Sequence, residues 1–429
     1  MKKIIALALA AMLIVPVLSG CGSSNSSKTA SDQKITLTFW THVDNVWNKQ
    51  HDKIIAEFEK ANPNITVKRS SFPYDDFQSK VQSSLTTSSG ADIYQIWGGW
   101  GVDFDSTGAF AQVPNDFISK IKKDSYAPVL GSFEYNGKYY GIPLEYNIEY
   151  GGMLVDVNMF KERGISYPTT WNDMIKIATK YSKSSGATFK VRGFDFPAWD
   201  AMTYIWTSMI LSSGGQYIKN KQFDFESPIG IKTMQQLVNY VKVDKMTNLD
   251  GITNADEEEP YQKFYHMNEA LMVPRGPWVV PEGHADYGLT YGKDFKYVAM
   301  PFYGKKQAFA AETGWGLAVN AKSKNQAAAW KFIEFWSQKD RMLDFNIAAG
   351  MVPAYKSIAH DPKLLQKMPY LKPLIPILDK GQYIGYFNTD TLKGDVCDMY
   401  VDIINNGTPV DKAVKALDKK LNKEITTLQ

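Results

Sequence analysis

Four carboxylates, Glu145, Glu149, Asp200 and Glu312, are of the type that could flank a glycosidic bond, since hydrolysis needs two such groups facing each other. Nothing else in the chain commits them to that reaction. The G-x-S-x-G nucleophile elbow of serine hydrolases is absent, and so is a GxxxxGK[ST] phosphate loop. Gly98-Gly99-Trp100-Gly101 reads as a Gly-rich turn. Five scattered histidines and two cysteines give no zinc-site spacing. The acidic run 256–259 lacks the ligand spacing of a calcium loop and reads as a solvated helix start before Pro260. No metal and no cofactor are therefore expected. What the chain holds in excess is aromatic rings: 11 Trp, 24 Tyr and 22 Phe, 13% of all residues.

The elements that must position these groups follow from pattern and length. A chain of 429 residues corresponds to two or three domain-sized units and needs no disulfide framework to bury a core. With 48 basic and 45 acidic residues the net charge is +3, which leaves no electrostatic footprint for nucleic acid. Residues 35–40 alternate and read as a strand. Asp44 or Asn45 can cap a helix to Ala61 with Ile54, Ile55 and Phe58 on one face, and Pro63 ends it. A strand from Ile65, a helix opened by Asp75 and Asp76, and a strand at 92–97 continue a strand–helix alternation that predicts a parallel, doubly wound sheet. Further on, 139–146 and 150–155 are extended. Thr170 and Asp173 form a capping box for a helix over 171–184. Trp199, Met202, Trp206 and Met209 share a helical face, and Ser227-Pro228 starts another helix. Strands are expected at 295–300 and 314–319, and helices at 323–338 and 410–425.

The N-terminus has its own pattern. Lys2 and Lys3 precede an apolar run to Leu18, shorter than the ~20 residues a membrane span needs. The run ends in Leu18-Ser19-Gly20-Cys21, which resembles the bacterial lipobox. That resemblance implies a signal peptide over 1–20 and a diacylglycerol on Cys21, whose two acyl chains would anchor the protein stably. Residues 21–34 then read as a Ser-rich flexible tether. Cys397 is left without a partner and reads as a small buried hydrophobe.

Several segments, in order, resemble the extracellular solute-binding proteins of ABC transporters, in the sugar-binding family that includes maltose-binding protein. They are the strand–helix pair 35–63, Gly90-Ala-Asp-Ile-Tyr, Tyr140-Gly-Ile-Pro, Val155-Asp-Val-Asn-Met-Phe160 leading to Pro168-Thr-Thr-Trp-Asn-Asp173, Gly276-Pro-Trp278, Gly314-Trp-Gly-Leu-Ala-Val319 and Val352-Pro-Ala-Tyr-Lys-Ser357. The resemblance implies an α/β, two-lobed periplasmic-binding-protein-like fold with three hinge crossings and a central cleft. The crossings are expected near 143–146, near 309–313 and after Pro353. Lobe 1 would comprise 35–143 plus 310–353, and lobe 2 would comprise 144–309 plus 354–429.

A sugar offers hydroxyls, which need polar partners, and C–H faces, which sit on electron-rich ring faces. By family position, Trp40, His42, Asp44 and Asn45 would supply the first lobe's share of the pocket, with Trp97 and Trp100 at the end of the third strand, where open α/β sheets place ligands. Glu145 lies at the first crossing. Trp199 and Asp200, then Arg275 and Trp278, would come from the second lobe, with Glu312 and Trp315 after the second crossing and Tyr355 and Tyr386 beyond the third. Trp206, Trp330 and Trp336 lie on helical faces and read as core, as does Trp171 beside its cap. For Trp40, core packing and cleft lining weigh equally.

The resemblance implies a lipid-anchored extracytoplasmic receptor, monomeric, that passes a carbohydrate to membrane permease subunits powered by an ATPase on a separate chain. One arginine among many aromatics favours a neutral sugar over a polyamine or a phosphate. Six tryptophans at cleft positions favour an oligosaccharide. The alternatives are a secreted carbohydrate-active hydrolase, or the same fold with a non-sugar solute.

Overall fold

Leu37, Phe39 and Thr41 point inward from the strand Ile35–His42, and this alternation lays down the second strand of a five-stranded sheet. The computed structural model describes residues 34–87, 90–186, 188–254 and 258–428. The signal peptide over 1–20, the lipidation site Cys21 and the tether up to residue 33 lie outside the described residues. Among those described, no helix is long and apolar enough to cross a membrane.

The first lobe is built on strands in the spatial order Ile65–Phe72, Ile35–His42, Ile93–Trp97, Trp315–Val319, Ile142–Pro143. The first three are parallel, as the strand–helix alternation predicts. The fourth runs antiparallel to Ile93–Trp97, so the sheet is mixed. Its direction follows from its origin. Trp315–Val319 continues directly from the strand Phe309–Thr313 and enters the sheet without a helical crossover, which is what parallel pairing would require. Asp44 caps the helix Asn45–Ala61, its Oδ1 accepting from the N–H groups of Val46 (2.7 Å) and Trp47 (2.8 Å). That helix buries His51, Ile54, Ile55 and Phe58. The expected helix over 323–338 is shorter, Gln326–Trp336, and a second helix, Lys339–Ala349, follows after extended backbone at Gln338.

The second lobe has a three-stranded antiparallel sheet with Gly152–Asp156 between Met272–Pro274 and Phe295–Ala299. The helix Trp199–Ser212 is buried from Ala201 onward, because it packs against Pro228–Lys242, Thr389–Asn406 and the strand Phe309–Thr313. Trp206 stacks on Phe225 at 4.4 Å, and Trp171 donates its Nε1–H to the Tyr240 hydroxyl at 2.7 Å. Trp330 and Trp336 are buried in the first lobe. The helix after Thr170 ends at Tyr181, three residues short of expectation, and the chain turns into a hairpin of Lys183–Ser185 with Thr188–Val191. Cys397 is buried and free, its Sγ 3.7 Å from the Trp199 carbonyl.

Between the lobes lies a small sheet in the order Gly381–Tyr383, Phe309–Thr313, Tyr146–Asn147. Glu312 pairs with Asn147 and Thr313 with Tyr146. The strand Phe309–Thr313 and Tyr146 thus run through this sheet, whereas Pro143 pairs with Gly316 in the five-stranded sheet. Past the third crossing expected after Pro353, the chain still packs on the first lobe. Lys356–Ala359 and Pro362–Lys367 pack on the helix Lys339–Ala349 of the first lobe, with ion pairs Lys339–Asp361 (2.9 Å) and Lys363–Asp344 (2.7 Å). Pro369–Leu371 packs on the strand Phe295–Ala299 of the second lobe.

Candidate functional site

A cavity of about 600 Å³ opens between the lobes. Its first-lobe wall comes from the end of the strand Ile35–His42 and the start of the next helix (His42, Asp44, Trp47), from Tyr74, and from the strand ends Trp97 and Trp315. Its second-lobe wall holds Glu149, Trp199, Asp200, Trp278, Glu282, Asp390 and Lys393, with Glu145 and Asn147 at the hinge. These side chains converge because parallel strands end here and because two helices, Trp199–Ser212 and Thr389–Asn406, begin here.

Trp315 organises the aromatic wall. The His42 ring stacks on it at 5.0 Å, and Trp47, Tyr74, Trp97 and Trp100 meet it edge-on or tilted at 5.5–6.1 Å between ring centroids. Gly314 lets the chain make this turn tightly, since a Cβ there would strike the Glu145 side chain. On the opposite wall Trp199 is 42% exposed, which is unusual for so large a ring in a folded interior. Trp278 is half-buried. Its Nε1–H donates to Glu149 Oε1 at 2.9 Å, and the Arg275 guanidinium lies 4.9 Å from its ring centre.

The charges form two chained networks behind these rings. Lys393 Nζ contacts Asp200 Oδ1 (3.0 Å), Asp390 Oδ1 (3.3 Å) and Glu312 Oε2 (4.0 Å). Arg275 donates to Asp200 Oδ2 (2.9 Å) and Glu259 Oε2 (2.7 Å) and lies 3.5 Å from Glu149 Oε2. Burial disfavours the Asp200 carboxylate, yet Lys393 and Arg275 outweigh it and hold Asp200 well below the usual range. Glu145 has no such cation. Its Oε1 accepts from the Trp315 N–H at 3.0 Å, and burial pushes it up to about 7. Burial likewise lifts Glu282 to about 7 and Glu312 to about 8. His42 is shifted downward by burial, against the pull of Asp44, which favours a neutral ring.

Of the residues singled out from the sequence, the fold brings His42, Asp44, Trp97, Glu145, Trp199, Asp200, Trp278 and Trp315 to the cavity. Arg275 and Glu312 sit just behind it, buried in the ion networks. Trp100 also stands behind the wall, 1% exposed, its Nε1–H donating to Asp390 Oδ2 at 3.1 Å. Four lie elsewhere. Trp40 packs on Phe72 and Tyr94, because it lies two residues short of the strand end at which His42, on the same face, reaches the cavity. Asn45 is exposed on the first helical turn. Tyr355 is 4% exposed and donates its hydroxyl to the Pro143 carbonyl at 2.9 Å. Tyr386 stacks on Tyr135 at 5.7 Å in a separate surface hollow. The fold also brings to the cavity Trp47, Tyr74, Asn147, Glu282, Asp390 and Lys393, none of them among the candidate sugar-binding positions, and Glu149, which the sequence offered only as a candidate hydrolytic carboxylate. Trp47 was legible, one helical step beyond Asp44. Asp390 and Lys393 were not, because only the packing of a distant helix delivers them.

The family model described as bacterial extracellular solute-binding protein matches residues 53–373. The chain is 25% identical over 364 residues to the multiple sugar-binding protein of Streptococcus mutans, covering 80% of this chain and 81% of that protein. In fold it is similar to an ABC substrate-binding protein of Listeria monocytogenes solved in complex with cycloalternan, at a TM-score of 0.73 and 19% identity over 92% of this chain and all of that one. It is similar too to the cyclic alpha-maltosyl-1,6-maltose binding protein of Arthrobacter globiformis, at 0.75 and 18% identity, covering 92% of this chain and 100% of that one.

Proposed function

The chain belongs to the bacterial extracellular solute-binding proteins, and from that premise we propose that it is a receptor for a carbohydrate, an oligosaccharide rather than a single sugar. It captures its ligand between the lobes and delivers it to the permease subunits of an ABC importer, and it is held at the membrane by a lipid on Cys21. The observation that carries the reading is the cavity itself. Five tryptophans (Trp47, Trp97, Trp199, Trp278, Trp315) and Tyr74 line it together with carboxylates and the Asn147 amide. Ring faces suit the C–H surfaces of sugars, and carboxylates accept from their hydroxyls. A single pyranose cannot cover so many rings, which favours more than one unit. The multiple sugar-binding relative and the sugar-bound structural neighbours support the same choice.

Calorimetric titration of mono- to pentasaccharides tests this. Binding that tightens beyond one sugar unit is the expected result, and tightest binding to a free monosaccharide contradicts the oligosaccharide reading. Incubation with the bound sugar should leave it intact; new reducing ends would instead support a hydrolase. Mass spectrometry of the N-terminal peptide should find Cys21 diacylated, and an unmodified thiol contradicts the anchor.

A further inference from the structure

The cleft holds more carboxyl groups than its own cations can answer. Asp44, Glu145, Glu149, Asp200, Glu282 and Asp390 line it, against the ammonium of Lys393. That ammonium is already committed to Asp200, Asp390 and Glu312. Arg275, 3% exposed behind Trp278, is committed to Asp200, Glu259 and Glu149. Glu145 is 8% exposed and takes one hydrogen bond, from the Trp315 N–H to Oε1. Among the described residues its Oε2 has no donor and no cation, although the side chain lines the cavity. Glu282, on the second-lobe wall, likewise has no ion pair among the described residues.

A neutral sugar answers acceptors with hydroxyls, each of which also brings lone pairs that need donors of their own. The other donors of this lining, the Asn147 amide and the indole N–H groups of Trp47, Trp199 and Trp315, are neutral and leave the carboxylates without countercharge, while the Lys393 ammonium is spent and Tyr74 gives its hydroxyl hydrogen to Asp390 (3.3 Å). A protonated amine brings three donors, no acceptor and a positive charge. It is also attracted to the faces of the surrounding rings. We infer that the ligand of this cleft is a carbohydrate bearing a free amino group, whose ammonium seats against Glu145 and the carboxylates facing it from the second lobe. This inference rests on the carbohydrate reading above and reverses the neutral-sugar expectation drawn from the sequence, which counted the cleft's arginine and missed Glu282 and Asp390. The upward shift of Glu145 and Glu282, both to about 7 through burial, fits carboxylates that lack their countercharge.

The test is calorimetry on matched series of two- to four-unit oligosaccharides: glucose and galactose oligomers, their 2-amino forms and the N-acetylated amines, with an open-chain diamine alongside. The amino member should bind about tenfold or more tighter than its neutral and N-acetylated counterparts. The ratio should shrink with added salt and in Glu145→Gln. Glu282→Gln supplies the same readout should Glu145→Gln not fold. Equal or tighter binding of the neutral member overturns the inference and leaves the carbohydrate reading standing. Tightest binding of the diamine, or no binding by any sugar, overturns both.

Discussion

Single side chains in this cleft divide into those that would touch a ligand and those that hold the wall. Trp199 and Trp278 belong to the first group, and Trp→Ala at either should weaken oligosaccharide binding by roughly 2 kcal/mol in calorimetry if they are stacking hot spots. Tyr355→Phe should leave affinity unchanged, since its hydroxyl serves the Pro143 carbonyl away from the cavity. Burial also makes a pH signature. Glu145 is raised from an ordinary 4.5 to about 7, so the folded chain keeps a proton that the unfolded chain releases. Stability should therefore fall as pH rises from about 4.5 through 7 and flatten above, with Glu312 extending the fall to about 8. Glu145→Gln should reduce the loss of thermal stability across that window, and an unchanged profile would assign the slope to other groups. Rings at strand ends were legible as candidates from the sequence. Trp40 misled because it shares a strand face with His42 but sits two residues before the strand end, and ring type alone does not say where along the strand the cleft begins.

At the level of elements, capping and backbone approach make the predictions. Asp44 satisfies two N–H groups of the helix Asn45–Ala61 and also lines the cavity. Asp44→Ala should cost about 1 kcal/mol in urea unfolding. Gly99 faces Thr389, Trp97 and Glu312 so closely that a Cβ would overlap all three side chains. Gly99→Ala should therefore both destabilise the chain and weaken binding, because it pushes on the contact between the strand end and the helix Thr389–Asn406. The strands and helices of the first lobe were legible because period and caps agreed there, as at Asp44 and Pro63. The reversed strand Trp315–Val319 was not, because direction in a sheet depends on where the chain has been, which local pattern does not record.

For the whole molecule, the two lobes meet through the N-terminus of the helix Thr389–Asn406. Asp390 accepts from Trp100 and Tyr74, Asn388 donates to Asp103 at 2.9 Å, and Thr389 donates to Glu312 at 2.9 Å. Folds of this kind close about their hinge on the ligand, and these bonds would bias the closed arrangement. Tyr74→Phe combined with Asp103→Ala should raise the radius of gyration of the ligand-free chain in small-angle scattering; no change would deny the contact a role in closure. The two-lobed architecture was legible through ordered family-like segments. The acidic balance of the cleft was set by long-range packing and came only with the structure. The most direct test of the central claim is a crystal structure with the tightest-binding oligosaccharide. The account predicts sugar rings between the lobes, stacked on Trp199 or Trp278 and hydrogen-bonded to Glu145 and Asp200. A sugar bound outside this cleft, or a cleft left unchanged by saturating sugar, would contradict it.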